Sequence, residues 1–178
     1  IGLVGCEMTP SFVDTKDIEQ ASARGAWGTV CKGLEMSEDR IRRYAAEQLW
    51  KNKAPEEEMD CICEHLPKEG GGFDSAIAAG LEGLKSDSIA ACFGELVKNP
   101  SLQKREEAVM AFAKMSAPSV RPILAELATA EGDMATRIRA AEAIEGDPKF
   151  KSTFMGLLSH DDKVLRAAAA TGLGGHMD

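Results

Sequence analysis

Aromatic residues are scarce in this chain, at 5% with a single tyrosine, and runs of β-branched residues are nearly missing. Strands rely on those two residue classes, so their scarcity excludes a protein built on sheets. Positive charge is also short: 21 Lys and Arg stand against 29 Asp and Glu, a formal net charge of −8. Phosphate binding draws its affinity from clustered cations, so nucleic acid is not an expected partner. No stretch of the sequence approaches the roughly 20 apolar residues of a spanning helix. What is present in quantity is alanine, which favours helix almost everywhere. With 178 residues, 44% of them hydrophobic and 28% charged, the chain can bury a sizeable core as one domain and is not a disordered composition.

A period of about thirty residues organises the sequence. Arg42, Asp74, Arg105, Arg137 and Arg166 mark it, separated by 32, 31, 32 and 29 residues. Three positions after each mark stand Ala45, Ile77, Ala108, Ala140 and Ala169, and four after stand Ala46, Ala78, Val109, Ala141 and Ala170. Seven after, Leu49, Leu81, Phe112, Ile144 and Leu173 are all large and apolar. That is one helical stripe copied five times, with small residues where another helix must approach. A second stripe runs upstream, with Leu34, Leu66, Val97 and Leu158 eight before the marks and Val30, Ile62, Phe93, Ala125 and Phe154 twelve before. Each unit is therefore expected to hold an A helix and a B helix. Breaks fall at Met36-Ser37, Gly70-Gly71-Gly72, Asn99-Pro100, Gly132 and Ser159-His160.

The spacing predicts A helices over 17–35, 55–66, 87–98, 119–130 and 148–158, and B helices over 38–52, 73–85, 102–115, 133–145 and 162–173. The stretches Ile41-Arg42 through Leu49, Thr136-Arg137 through Gly146 and Val164 through Gly174 resemble short bacterial HEAT-like repeats, including those related to phycobilisome lyases. The resemblance covers roughly residues 17–175 of a repeat domain taken as 17–178, and implies an all-α fold, an α-solenoid of about five helical hairpins forming a HEAT-like superhelix. Unit two departs from the pattern with Asp74 in place of arginine, and the triglycine before it suggests a mobile joint. The arginines have two readings. Glu38, Asp133 and Asp162, each four residues ahead, can form acid–base pairs along the helix. Alternatively, Arg42, Arg105, Arg137 and Arg166 form a partner-binding row that grips an acidic segment.

Residues 1–16 form a separate stub and linker. Ile1-Gly2-Leu3-Val4-Gly5-Cys6 resembles the lipobox of bacterial lipoproteins, which implies lipid attachment at Cys6, and 7–16 has no helical period.

The remaining cysteines, Cys31, Cys61, Cys63 and Cys92, keep register with the repeat. Cys31 and Cys63 lie eleven residues before their marks, and Cys61 and Cys92 lie thirteen before theirs. Two residues apart on a helix is about 200°, so Cys61 and Cys63 face opposite neighbours. Positions of equal phase look the same way, which pairs Cys31 with Cys61 and Cys63 with Cys92. The competing reading is cysteine as a small buried apolar residue. Disulfides would imply an oxidising compartment, the periplasm or cell surface. Cys61 and His65 share a face but make a poor zinc chelate, so no metal is expected.

No catalytic residue stands out. His65, His160 and His176 lack the paired Glu of di-iron HEAT-repeat hydroxylases, and the charge is wrong for base excision. The expectation is a non-enzymatic scaffold or adaptor of the bacterial cell envelope, an outer-membrane lipoprotein. It has no cofactor and no small-molecule substrate, its partner is another envelope protein, and it meets the membrane only through a lipid anchor. The alternatives are a cytoplasmic HEAT-repeat scaffold with free thiols and, third, a chromophore-lyase-like enzyme.

Overall fold

A computed structural model describes residues 12–66 and 72–174. The fold is all-α, and the one extended pairing among the described residues is an isolated bridge between Gly72 and Gln103. Cys6, most of the stub, Gly70, Gly71 and His176 lie outside the described residues, and with them the lipid-attachment and joint expectations.

The chain enters its first helix at α1 (Thr15–Arg24), two residues before the boundary expected from sequence. Asp14 closes a capping box there, accepting from the Lys16 and Asp17 amides while the Asp17 carboxylate accepts from the Asp14 N–H. The predicted continuous helix over 17–35 does not form. Gly25 adopts φ 73°, a left-handed geometry that ends α1, and its N–H turns back to the Ala21 and Ser22 carbonyls. The chain restarts as α2 (Trp27–Lys32) and tightens into a 3-10 turn at Gly33–Glu35.

The remaining hairpins are α3 (Asp39–Lys51), α4 (Glu56–His65), α5 (Ser75–Gly80), α6 (Asp87–Lys98), α7 (Arg105–Phe112), α8 (Val120–Thr129), α9 (Met134–Ala143), α10 (Lys151–Leu157) and α11 (Lys163–Gly174). Their starts are written in the sequence as caps: Pro55 before α4, Asp74 on α5, Ser86 on α6 and Asp133 on α9. Four of the five B helices are shorter than predicted, α5 and α7 the most. Lys104 sits at φ 58°, which bars any helix before Arg105, and Asp74 caps α5 so that it cannot begin at Phe73.

Two layers result. The B helices pack in sequence, α3 on α5, α5 on α7, α7 on α9 and α9 on α11; the A helices do likewise, α2 on α4, α4 on α6, α6 on α8 and α8 on α10. One continuous apolar core threads between the layers from Val13 to Ala169. The few aromatics concentrate at its middle, where Phe93 stacks on Phe73 with ring centroids 5.9 Å apart and meets the edge of Phe112 at 5.4 Å. Four of the five small residues placed four after the marks are buried; Ala170, expected at a helix contact, is exposed because no described element lies on that side of α11. Leu158, expected in the A-helix stripe, is likewise exposed, and its neighbour Leu157 takes the core position.

Candidate functional site

The four arginines of the repeat turn out to hold their own hairpins together. Arg105 donates from Nε to the Val97 carbonyl at 2.7 Å and from Nη2 to the Lys98 carbonyl at 2.9 Å, closing the end of α6. Arg137 donates from Nε to Ala128 near the end of α8 at 3.2 Å. Arg166 reaches the His160 and Asp161 carbonyls in its turn, both at 2.7 Å, and Arg42 reaches Met36 and Ser37. The last carbonyls of a helix have no partner within it and carry partial negative charge, so a guanidinium there satisfies both hydrogen bonding and the helix dipole. Burial pulls the Arg105 pKa below the ordinary arginine value.

The acids four residues ahead form no close ion pair with their arginines, although Arg166, after the Leu165 and Val164 amides, still lowers the Asp162 pKa through space. Asp133 and Asp162 cap the amides at the starts of α9 and α11, and Glu38 lies nearest Arg40, at 3.9 Å. The departure in unit two has a use. Asp74 caps α5 and also accepts from Arg42 Nε at 2.6 Å, so the residue that breaks the pattern joins one hairpin to the next. His160 lies within hydrogen-bond distance of Arg137 Nη1 through Nε2 and of the Asp162 N–H through Nδ1. A neutral imidazole accepts at one ring nitrogen only, so the tautomer decides which of the two donors it holds.

The cysteine register is met in space. Cys31 on α2 and Cys61 on α4 have Cα atoms 6.0 Å apart and sulfurs 2.10 Å apart; Cys63 on α4 and Cys92 on α6 have the same 6.0 Å separation and sulfurs 2.02 Å apart. Both pairs are at disulfide distance. They are compatible with an oxidising compartment. In the third unit the place of Cys31 and Cys63 is taken by Gly94, which lies close against Ile123 of α8. His65 Nδ1 lies 2.7 Å from the Cys61 carbonyl, and no cluster able to hold a metal ion occurs among the described residues.

A groove that the sequence reading did not single out runs over the short helix α5. It encloses about 540 Å³ between α3, α7 and α9, with Phe73, Ala78 and Ala79 as floor and Arg43, Met110 and Lys114 among its walls. The groove is deepest in side-chain terms at Ala79 of α5, which stands where the neighbouring B helices carry Glu47 and Met110. The signal was available as the sequence Ser75-Ala76-Ile77-Ala78-Ala79-Gly80, a B helix without a single charge. Met110 is 44% exposed at its edge.

Four aspartates bear on acid stability, the first being Asp14, held below the usual carboxylate range by the Asp17 and Lys16 amides. Asp133 is held below the usual carboxylate range by the Thr136 hydroxyl and amide, Asp87 by the Ser119 hydroxyl and amide across the α6–α8 boundary, and Asp162 by the Leu165 and Val164 amides. A carboxylate with a depressed folded pKa stabilises the fold above its unfolded value of about 3.9, and that contribution disappears as pH falls through the folded value. The melting temperature of Asp87→Asn/Asp133→Asn is therefore expected to lie below that of the unaltered protein at neutral pH, with the gap closing as pH falls through the lowered folded values. A gap of constant size down to pH 2 in thermal melts would show that the charges of these groups contribute nothing.

No protein-family model matches the chain, and no characterised protein matches it in sequence.

Proposed function

We propose that this chain is a non-catalytic, protein-binding scaffold of the bacterial cell envelope, a HEAT-like α-solenoid held to the membrane by a lipid on Cys6. The observation that carries the binding role is the groove over α5, whose floor of Phe73, Ala78 and Ala79 is uncharged and whose edge carries an exposed apolar side chain, Met110. Surface apolar groups set among charged ones are the common make-up of a protein-recognition patch. The groove walls carry charges of both signs, Arg43, Lys114 and Arg139 with Glu106 and Glu107, which suit a partner segment of mixed charge. On this reading Arg42, Arg105, Arg137 and Arg166 serve the partner indirectly, by fixing the hairpins that shape the groove.

The envelope assignment rests on the two cysteine pairs and on the lipobox-like start, and no described helix is long and apolar enough to cross a membrane. Two measurements test the proposal. Thiol titration of natively expressed protein, denatured without reductant, is expected to find none or one of the five cysteines free; four or five would place the scaffold in the cytoplasm. A partner cross-linked to the unaltered protein in envelope preparations is expected to be lost with Met110→Glu and with Ala79→Arg. Retention by both would remove the groove as the binding surface.

A further inference from the structure

We infer that a recess between the loop joining α3 to α4 and the loop joining α5 to α6 is a recognition site for an acidic peptide segment that carries an aromatic side chain. The recess encloses about 710 Å³ and shares no lining residue with the groove over α5. Its floor is apolar, made of Trp50, Ala54, Met59 and Leu84. An apolar floor with a few polar groups at the mouth is the usual make-up of a binding pocket of this volume. The walls are fixed by bonds of their own. The Trp50 indole N–H donates to the Gly80 carbonyl at 2.6 Å, the Leu84 carbonyl accepts from the Ser116 N–H at 2.7 Å, and the Ser86 hydroxyl donates to Glu56 at 3.0 Å, clasping one loop to the other. A site held in this way gives up little freedom when it is filled. Beside an indole ring and a thioether, an aromatic side chain gains more than an aliphatic one.

Charge selects the rest of the occupant. The mouth carries Lys51, Lys53 and Lys85 against Glu56 and Asp87. Both carboxylates are already engaged, Glu56 by the Ser86 hydroxyl and Asp87 by the Ser119 hydroxyl at 2.6 Å and amide at 3.1 Å. Lys51 is paired with Glu47 at 2.7 Å and lies 5.9 Å from the Trp50 ring centre. The Lys53 and Lys85 side chains are exposed and meet no acceptor among the described residues. Glu57 and Glu58, on the first turn of α4, are exposed but do not line the recess. The unmatched charge at the mouth is therefore positive, although the chain as a whole is acidic. The backbone at Lys53 points the same way. Its φ is 56°, in the left-handed region where Gly25, Gly83 and Gly146 also lie; Lys104 is the one other non-glycine residue there among those described. The Ala54 N–H returns to the Leu49 carbonyl at 2.8 Å, so this geometry is what ends α3. Glycine adopts it without a Cβ penalty, so the backbone alone favours glycine at 53, and the lysine there has its use at the mouth.

The test is isothermal titration of the full chain, at low salt, with the peptide acetyl-Asp-Glu-Phe-Glu-Asp-amide. Binding is expected, and it is expected to weaken about tenfold when the Phe is replaced by Ala or when the four acids are replaced by their amides. Lys53→Gly is expected to raise the melting temperature while weakening binding about threefold, and Lys53→Gly/Lys85→Ser to weaken it about tenfold. A lysine serving only the fold would give a lower melting temperature and unchanged affinity. Met110→Glu is expected to leave the titration unaltered, so this site and the groove over α5 stand or fall separately. Absence of binding by the aromatic acidic peptide would overturn the inference. So would equal affinity for the amide peptide, an affinity that survives loss of both lysines, or one that is lost with Met110→Glu.

Discussion

Replacing Gly80 with alanine is expected to lower the melting temperature by about 4–8 °C, the shift that corresponds to about 2 kcal/mol in a domain of this size. On propensity alone the sign would be the reverse, because alanine in a helix is worth roughly 0.5–1 kcal/mol more than glycine. Sterics decide it. A Cβ at Gly80 would stand 2.5 Å from the Ala46 Cβ, 2.7 Å from the Arg43 carbonyl oxygen and 3.1 Å from the Glu47 amide nitrogen. Two of these three atoms are backbone of α3, so relief requires α5 to move away from α3, and the Gly80 carbonyl is itself held at 2.6 Å by the Trp50 indole N–H. Such a shift loosens the groove as well as the core. Gly156 of α10 is the control: nothing lies within 4 Å of where its Cβ would be, so Gly156→Ala is expected to stabilise slightly. Thermal melts showing equal and positive shifts for both substitutions would refute the tight α3–α5 contact.

The period was legible because each copy must bury the same phase. Ala45, Ile77, Ala108, Ala140 and Ala169 are all in the core, and a residue type that recurs at a buried phase is visible without knowing what lies opposite. The cysteine pairs were legible for the same reason, since equal phase means equal direction along a stack. Other features depend on neighbours that periodicity does not describe. The 3.6-residue pattern continues across Gly25, so nothing in it announced the break between α1 and α2. Lys104 gives no hint of its left-handed backbone from residue type. The acids four residues before Arg42, Arg137 and Arg166 looked like their partners along one helix, but the hairpin brings the end of the A helix and its turn nearer, and the carbonyls of Met36, Ala128 and His160 take the guanidinium instead. Whether Ala170 is buried depends on what stands beyond α11, not on its own phase. The groove over α5 was missed because attention to charge passed over the one B helix that has none.

Removing both cysteine pairs is expected to have the largest effect of all. Each closes a loop, of 30 residues between Cys31 and Cys61 and of 29 between Cys63 and Cys92. On the chain-entropy account a loop of that length is worth about 3–4 kcal/mol, since the open chain regains the conformations that closure removed. The two loops do not overlap, so their contributions add, and the total of about 7 kcal/mol is comparable with the whole stability of a typical domain, about 5–15 kcal/mol. The loss will not be spread evenly. Both pairs meet on α4, a helix of 10 residues with three glutamates in its first turn and Met59 and Ile62 as its buried residues. Contacts in the stack run between neighbours, so α8 to α11 do not feel the change directly. For the variant with Cys31, Cys61, Cys63 and Cys92 all replaced by alanine, amide hydrogen exchange is therefore expected to accelerate strongly in α2, α4 and α6 and little in α9 and α11. The first melting transition is expected to fall by roughly 10 °C for each pair removed. Unchanged exchange in α4 after all four replacements would mean that apolar packing alone fixes the three A helices, and that the pairs contribute nothing to holding the stack.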